Sequence, residues 1–346
     1  MLKTKNAMLL GVLCLLMLIL VACSNNDDSS KGESENLAAA TSGEIQEVKA
    51  KIAHVYPTEL FISKGYDMFA EKVNEKSGGK IEFTVFPAGQ LYTDIAAPNA
   101  ISSGQIEMAV NTLEMWSSNI AAAEFPTLPI FDDQDHVRRS MDNGLNDLLK
   151  EELNKYNAEP LLWAEFGFSY FASSKEPLTS PEDFKNKKIR TTAPLMSKFV
   201  ELAGGSPVSI SGGEVPQALQ RGTIDAAVSG VAGFAASQYF EYTDHYTGPF
   251  NAGLVLLSAN TAWWNGLNDA TREVILSASA ETEQWLKDQQ ELIHKESVAK
   301  IESEGMKYAE LETESFTSIK EELANVYKKQ SGKMGEDIIK IIEENR

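Results

Sequence analysis

Cysteine is nearly absent from this sequence of 346 residues, which contains only Cys14 and Cys23. Both lie near the N-terminus, so the chain beyond them can form neither a disulfide nor a thiolate metal site. Histidine is also scarce, and the four residues are too scattered along the chain to suggest a metal site. The composition therefore excludes thiol chemistry as the basis of function.

Basic residues are in the minority. The chain has 31 Lys and Arg against 50 Asp and Glu, which gives a formal net charge of −19. A field of this sign repels phosphate, so we expect no nucleic-acid partner. It does not exclude an anionic ligand, because one arginine in a cleft can override the average field.

Catalytic sequence motifs are missing as well. The chain contains no HExxH, GxSxG or P-loop pattern. An S-x-x-K match at Ser297–Lys300 lies in a polar helical run without its companion motifs. The acidic cluster Asp132–Asp135 lacks the glycine and distal glutamate of an EF-hand loop. We predict no enzyme, cofactor or metal, and a lipid-anchored hydrolase is the weakest alternative.

One long apolar run is present, from Met8 to Val21, and it follows two lysines, Lys3 and Lys5. A basic start before a short apolar run is typical of a secretory signal, whereas a spanning helix needs about 20 apolar residues. Residues 1–22 are therefore predicted to be a signal peptide.

The residues after this run resemble a bacterial lipobox, Leu20-Val21-Ala22-Cys23. The resemblance implies a lipid on Cys23 and an extracytoplasmic protein anchored to the cell membrane; the alternative is an uncleaved anchor with a chance cysteine. Residues 23–48 are polar and cannot bury enough apolar surface to offset their ordering entropy. We predict a flexible tether over this range.

Beyond the tether, strand and helix patterns alternate. Helical spacing predicts a helix over Phe61–Lys76, and period-two or apolar runs predict strands at Ile81–Phe86 and Ile106–Asn111. Two strands are expected on either side of Gly167, at 161–166 and 168–172. This order predicts an α/β fold, a sheet with helices on its faces.

The last part of the chain is rich in helix-forming residues. A first helix is predicted from about Asp269 to Gly305, which at 1.5 Å per residue is roughly 50 Å long. A helix of that length can cross both halves of a two-lobed protein.

Five segments, in this order and spacing, resemble the TRAP-type, C4-dicarboxylate-binding family of periplasmic receptors, which serve ion-gradient-driven transporters. They are Met68–Val73 with Ser77–Ile81, Phe86–Leu91, Ser103–Ala109, Ser180–Lys185 with Lys188–Arg190, and Gly205–Pro207 with Glu214–Val215 and Ala218–Asp225.

The resemblance implies a two-lobed, type II-like periplasmic-binding-protein fold with a long helix spanning both lobes. It places lobe I at 49–166 plus 255–294 and lobe II at 167–254 plus 295–346. The lobes are expected to close on a solute. The implied function is an extracytoplasmic receptor, acting as a monomer, that hands its ligand to membrane permease subunits. A sensory receptor with the same fold is the alternative.

In this family the arginine of a Lys-x-Arg motif binds the substrate carboxylate, and Arg190 occupies that position. A guanidinium offers a planar fork that matches a carboxylate and stays charged when desolvated. The alternative is a surface arginine balanced by Glu182 or Asp183. If Arg190 pairs with a nearby glutamate, an uncharged or amine-bearing ligand also fits.

Two serines stand where relatives carry other residues. Relatives commonly have asparagine at Ser229 and a second arginine at Ser169. The missing cation predicts a small organic acid with a single acidic group, a monocarboxylate. Sialic-acid-binding relatives carry Glu and Arg around Thr112 and Met115, which argues against a large sugar acid.

Further ligand contacts are expected from five residues, each of which could instead simply pack in the core or form a turn. Four belong to lobe I and one, an aromatic residue, lies beside Gly167. They are His54, Tyr56, Asn111, Trp116 and Phe168.

Overall fold

The computed structural model describes residues 43–346, which belong to a compact unit, Thr41–Arg346. The predicted signal peptide, Cys23 and the tether up to residue 42 lie outside the described residues. The tether's last residues are fixed against the domain: Asn268 donates from its backbone to Gln46 Oε1 at 2.6 Å and from its side chain to the Glu44 carbonyl at 2.9 Å.

Ten strands and eleven α-helices build the described unit. The strands are β1 Val48–Ala53, β2 Ile81–Phe86, β3 Met108–Thr112, β4 Ala158–Ser173, β5 Lys188–Thr191, β6 Ser206–Ser209, β7 Ala226–Gly230, β8 His245–Gly248, β9 Ala252–Asn260 and β10 Lys307–Glu310. The helices are α1 Phe61–Lys76, α2 Ala97–Ser102, α3 Gln134–Ser140, α4 Asn146–Lys155, α5 Pro181–Phe184, α6 Pro194–Leu202, α7 Val215–Gln220, α8 Val231–Ala236, α9 Thr261–Asn265, α10 Asp269–Ser303 and α11 Thr317–Glu344.

The strands are hydrogen-bonded in the order β2-β1-β3-β9-β4-β7-β5-β6, and β8 joins β4 to β10. β1, β2 and β3 run parallel to one another, as do β5, β6 and β7, whereas β9 and β4 run antiparallel to their neighbours. Parallel pairs need helical crossovers, so helices cover the faces of both halves of the sheet. The predicted α/β class is confirmed.

Strand β4 connects the two halves of the sheet, which are β2-β1-β3-β9 on one side and β7-β5-β6 on the other. It pairs with β9 as far as Phe168 and with β7 from Ser169 onward. Two strands were expected here, and that expectation is wrong, because β4 continues through Gly167. The glycine has a φ of +81° at an irregularity in the β9 ladder, a conformation that favours glycine, so it bends the strand instead of ending it.

The long helix expected near the C-terminus is present. Helix α10 has 35 residues, or about 50 Å, and is capped at its N-terminus by Asn268, whose side chain accepts the Thr271 N–H. It packs against both α1 and α8. Together with the two-part sheet, this confirms the two-lobed fold with a helix that spans both lobes.

The lobe boundaries themselves stay a prediction. The largest buried cluster contains Trp116 and Phe125 from predicted lobe I together with Phe171, Phe199 and Phe316 from predicted lobe II. Helix α11 contributes to the same cluster, and its Tyr327 donates to the Ala122 carbonyl at 2.9 Å. Apolar packing between the two predicted lobes is therefore continuous through this cluster.

Over residues 43–346, no helix combines the length and the apolar character that crossing a membrane requires.

Candidate functional site

A cavity of about 330 Å³ lies where the two halves of the sheet meet. Binding pockets for small molecules commonly range from about 300 to 1,000 Å³, so this one suits a small ligand. Its wall includes residues from both halves of the sheet, such as Thr112 on β3 and Arg190 on β5. The polar residues on it are Tyr56, Asp94, Thr112, Glu114, Ser169, Arg190, Thr192, Ser229, Ser237, Tyr239 and Asn251.

Arg190 is the arginine on this wall, and its position is fixed by the backbone. It lies on β5 between β6 and β7 and is 5% exposed. Its Nε donates to the Ile210 carbonyl at 3.2 Å and its Nη1 to the Val228 carbonyl at 3.1 Å. These contacts hold the guanidinium plane and leave Nη2 beside Gly212 at the cavity.

Arg190 forms no ion pair with any carboxylate of residues 43–346. The arginines that do so within 4.0 Å are Arg138, Arg272 and Arg346. A buried, desolvated cation without a paired anion is costly, so the site is poised to accept an anionic group.

Two carboxylates also line the cavity. Asp94 is 6% exposed and accepts the Gly212 N–H at 3.2 Å, which joins the two halves across the cleft. Glu114 follows β3 and is 7% exposed; its Oε2 has no hydrogen-bond partner within the described chain. Burial raises the pKa of Glu114, and its own backbone N–H, the nearby hydroxyls of Thr112 and Thr192 and the charge of Arg190 oppose this shift.

Two tyrosines supply neutral hydroxyl groups. Burial raises the pKa of Tyr239 to about 12 and that of Tyr56 well above its ordinary value, so both stay protonated at neutral pH. The charges of Arg190 and Asp94 act on both phenols, which indicates that the four side chains share one region of the cavity.

Phe166 forms an apolar part of the wall and needs glycine around it. A β-carbon on Gly230 would lie 2.6 Å from Phe166 Cδ1, and one on Gly253 would lie 2.8 Å from Phe166 Cβ. A β-carbon on Gly233 would lie 2.7 Å from Ser229 Oγ. The absence of side chains at Gly230 and Gly253 therefore leaves room for Phe166, and the absence of one at Gly233 leaves room for Ser229.

The structure brings four of the predicted ligand-binding residues to the cavity: Arg190, Ser169, Ser229 and Tyr56. The other four, His54, Asn111, Trp116 and Phe168, are not on its wall.

The physical reasons differ. Asn111 and Thr112 are neighbours on β3, and successive side chains of a strand point to opposite faces. Thr112 therefore lines the cavity, while Asn111 accepts from Trp116 Nε1 at 3.2 Å within the core. His54 is 2% exposed, and burial lowers its pKa to about 4, so it is a neutral core residue at neutral pH. Phe168 packs against the hydrophobic core.

Seven polar residues on the wall were not predicted from the sequence as ligand contacts: Asp94, Thr112, Glu114, Thr192, Ser237, Tyr239 and Asn251. Asp94 and Glu114 follow segments that the sequence did single out, the loop beginning at Phe86 and the end of β3. A search for charged residues just beyond strand ends could have found them. Tyr239 and Asn251 carried no such signal.

Besides Asp94, another carboxylate joins the two halves of the protein, at a position outside the cavity. Glu124 is 2% exposed, and its Oε1 accepts the Leu195 N–H at 2.8 Å near the start of α6. Its other oxygen accepts from Gln330 of α11. Burial raises the pKa of Glu124 to about 7, the charge of Glu114 adds to the shift, and the two hydrogen bonds oppose it.

The raised pKa of Glu124 predicts how the stability of the protein depends on pH. Between an unfolded value near 4.5 and a folded value near 7, the folded protein holds a proton that the unfolded chain releases, so raising the pH through this window lowers stability. For this group alone the loss is about 3 kcal/mol. We expect Glu124→Gln to melt close to wild type at pH 5 and higher than wild type at pH 8. A variant with the full wild-type drop between these pH values would contradict this role; thermal melts across pH measure it.

Metal ligands are not gathered in the described part of the chain, where no three His, Cys, Asp or Glu residues stand together as a candidate ion site.

Comparison with known proteins places this chain among bacterial receptors. The family model described as "Bacterial extracellular solute-binding protein, family 7", DctP, matches residues 52–333. The chain belongs to this family. Its members are solute-binding receptors of TRAP transporters and not enzymes, which confirms the resemblance drawn from the sequence motifs.

Individual relatives are similar over most of their length. The C4-dicarboxylate-binding protein DctB of Bacillus subtilis is 24% identical over 302 residues, which is 86% of each chain. The sialic acid-binding protein SiaP of Vibrio cholerae is 28% identical over 79% of this chain and 85% of its own. A TRAP solute-binding protein of Sulfurospirillum deleyianum, solved with bound succinate, is 26% identical with a TM-score of 0.81, covering 87% of this chain and all of its own.

Proposed function

We propose that this family 7 receptor binds a small organic acid, a monocarboxylate, whose carboxylate pairs with Arg190 in the cleft. The single observation that carries the proposal is the buried guanidinium, held by two backbone carbonyls and unpaired with any described carboxylate. Ser169, Ser229 and Tyr56 supply hydroxyl groups around the bound acid. The size of the cavity, about 330 Å³, supports a small ligand.

Closure of the cleft couples binding to transport. In this account the lobes, 49–166 plus 255–294 and 167–254 plus 295–346, close over the acid, and the loaded monomer docks on membrane permease subunits. The cross-cleft hydrogen bond between Asp94 and Gly212 supports a closed form of this kind. A sensory receptor would use the same closure without transport.

Matched pairs of acids and neutral analogues test the ligand class. Succinate against succinamide, D-glucuronate against glucose and pyroglutamate against 2-pyrrolidinone each differ by the carboxylate. Isothermal titration should show at least one acid binding about 100-fold tighter than its neutral partner. Neutral partners that bind as tightly as the acids would overturn the proposal. Uptake of the bound acid by cells that produce this protein, compared with cells that lack it, separates transport from sensing.

The lipid anchor is a second part of the proposal, and it rests on the lipobox-like sequence that ends at Cys23. We expect Cys23→Ala to abolish incorporation of labelled fatty acid and to release the protein from the membrane fraction. Ligand affinity should stay unchanged, because the cavity lies wholly within the described unit. Membrane association that survives the substitution would favour an uncleaved N-terminal anchor instead.

A further inference from the structure

The cavity holds more carboxyl groups than its role as an acid receptor requires. Arg190 is matched by two carboxylates, Asp94 and Glu114, all at least nine-tenths buried. A ligand with a single carboxylate would add a third acidic group beside one cation in a site of low polarity. The second carboxylate of a dicarboxylate would add a fourth, at a steep cost.

These carboxylates do not simply neutralise the arginine. None of their oxygens lies within the 4.0 Å of an ion pair, although they are close by. Arg190 Nη2 and Asp94 Oδ2 lie 3.7 Å and 3.5 Å from the position of a β-carbon on Gly212, so their separation cannot exceed the sum of these distances. The charge of Arg190 also acts on Glu114. The three groups therefore face a shared space.

Two buried acceptors on the wall have no donor. Glu114 Oε2 has no hydrogen-bond partner in the described chain, and neither has Asn251 Oδ1. The orientation of the Asn251 amide is fixed, because its nitrogen donates to the carbonyls of Pro126 and Ala252. A buried acceptor without a donor costs about 1–3 kcal/mol, so each is expected to gain a partner when the site fills.

We propose that the ligand is a small ammonium carboxylate, whose carboxylate binds Arg190 and whose N–H donors bind Glu114 and Asn251. The inference rests on the proposed function and narrows its substrate class. An ammonium adds a cation beside two carboxyl groups that face a single arginine, and it supplies the donors that the two acceptors lack. Glu114 is the residue that determines this preference. A quaternary ammonium, which has no N–H, would leave both acceptors unpaired.

Isostructural probe series test the inference on the purified protein. Each series keeps one skeleton and changes one group: 4-aminobutyrate, 4-hydroxybutyrate and succinate; β-alanine, 3-hydroxypropionate and malonate; proline, pyroglutamate and tetrahydrofuran-2-carboxylate. In the series that binds best, calorimetry should show the ammonium member at least tenfold tighter than both of its analogues.

A substitution assigns the preference to one side chain. In Glu114→Gln, the preference for the ammonium member should fall by at least tenfold. The affinity for the hydroxy acid or the lactam of the same series should change by less than about threefold. Glu59→Gln, the same change at an exposed residue, should leave the preference intact. If Glu114→Gln does not fold, the wild-type preference measured against pH serves instead. It should weaken as the pH falls and Glu114, which shares the cavity with Arg190, Asp94 and Tyr56 and whose charge also acts on Glu124, gains a proton.

The other possible results separate failure of the inference from failure of the proposed function. Tightest binding of a hydroxy acid, a lactam or a dicarboxylate would overturn the inference and leave the acid receptor intact. A preference for the ammonium member that survives in Glu114→Gln would overturn the role of Glu114. Absence of binding by every carboxylate probe would contradict the proposed function itself, and the inference with it.

Discussion

Replacing Arg190 by glutamine is expected to weaken carboxylate binding by at least about 100-fold, or about 3 kcal/mol. The guanidinium is buried and held in place by the carbonyls of Ile210 and Val228, so it reaches the ligand without losing side-chain freedom on binding. The neutral amide keeps a donor but loses the charge, and Asp94 and Glu114 then repel the incoming acid. Isothermal titration with whichever acid binds wild type measures the loss.

Two further variants test whether the effect requires a guanidinium and requires it at position 190. Arg190→Lys keeps the charge but cannot reproduce the planar fork, so affinity should fall by about tenfold or more. Arg221→Gln makes the same chemical change at an exposed position and should bind like wild type. Near-wild-type affinity of Arg190→Gln would remove the anchoring role of this residue.

Gly230→Ala is expected to lower both stability and affinity. The added methyl group would lie 2.6 Å from Phe166 Cδ1 and 3.1 Å from the Phe166 carbonyl oxygen, so ring and backbone must shift together. Overpacking of this kind costs about 1–3 kcal/mol, which for a chain of this size lowers the melting temperature by several degrees. Because Phe166 lines the cavity, its displacement should also weaken ligand binding by about tenfold.

Gly213→Ala is the matched control for stability. Gly213 also borders the cavity, but nothing lies within 4 Å of the β-carbon that the substitution adds. Its melting temperature should stay within about a degree of wild type. Equal melting temperatures for Gly230→Ala and Gly213→Ala would mean that Phe166 relaxes freely and does not define the wall.

Much of the fold could be predicted from the sequence, because its signals are local. Helix α1 has the predicted bounds, Phe61–Lys76, and α10 ends at Ser303, two residues before the predicted end. Their apolar spacing and the glycines that follow them are read from adjacent residues. The strand break expected at Gly167 failed because a positive φ is compatible with a continuing, irregular strand, and only the pairing with β9 and β7 reveals this.

The cavity was predictable only in part. Arg190 lies in a motif of the family, Ser169 and Ser229 occupy positions that the resemblance assigns to the pocket, and Tyr56 lies in the loop after the first strand. Asn251 enters the site through the packing of distant segments: it donates to the carbonyl of Pro126, which is 125 residues away. Such contacts leave no periodic trace in the sequence. The same limit applies to Asn111, since a shift of one residue along a strand moves a side chain to the opposite face.

A crystal structure of the protein with a carboxylate that binds it tests the central claim most directly. We expect a carboxylate oxygen within about 2.7–2.9 Å of Arg190 Nη2, with the contacts of Arg190 to Ile210 and Val228 kept. A ligand whose carboxylate lies elsewhere in the cavity, with Arg190 turned to Asp94 or Glu114, would contradict it.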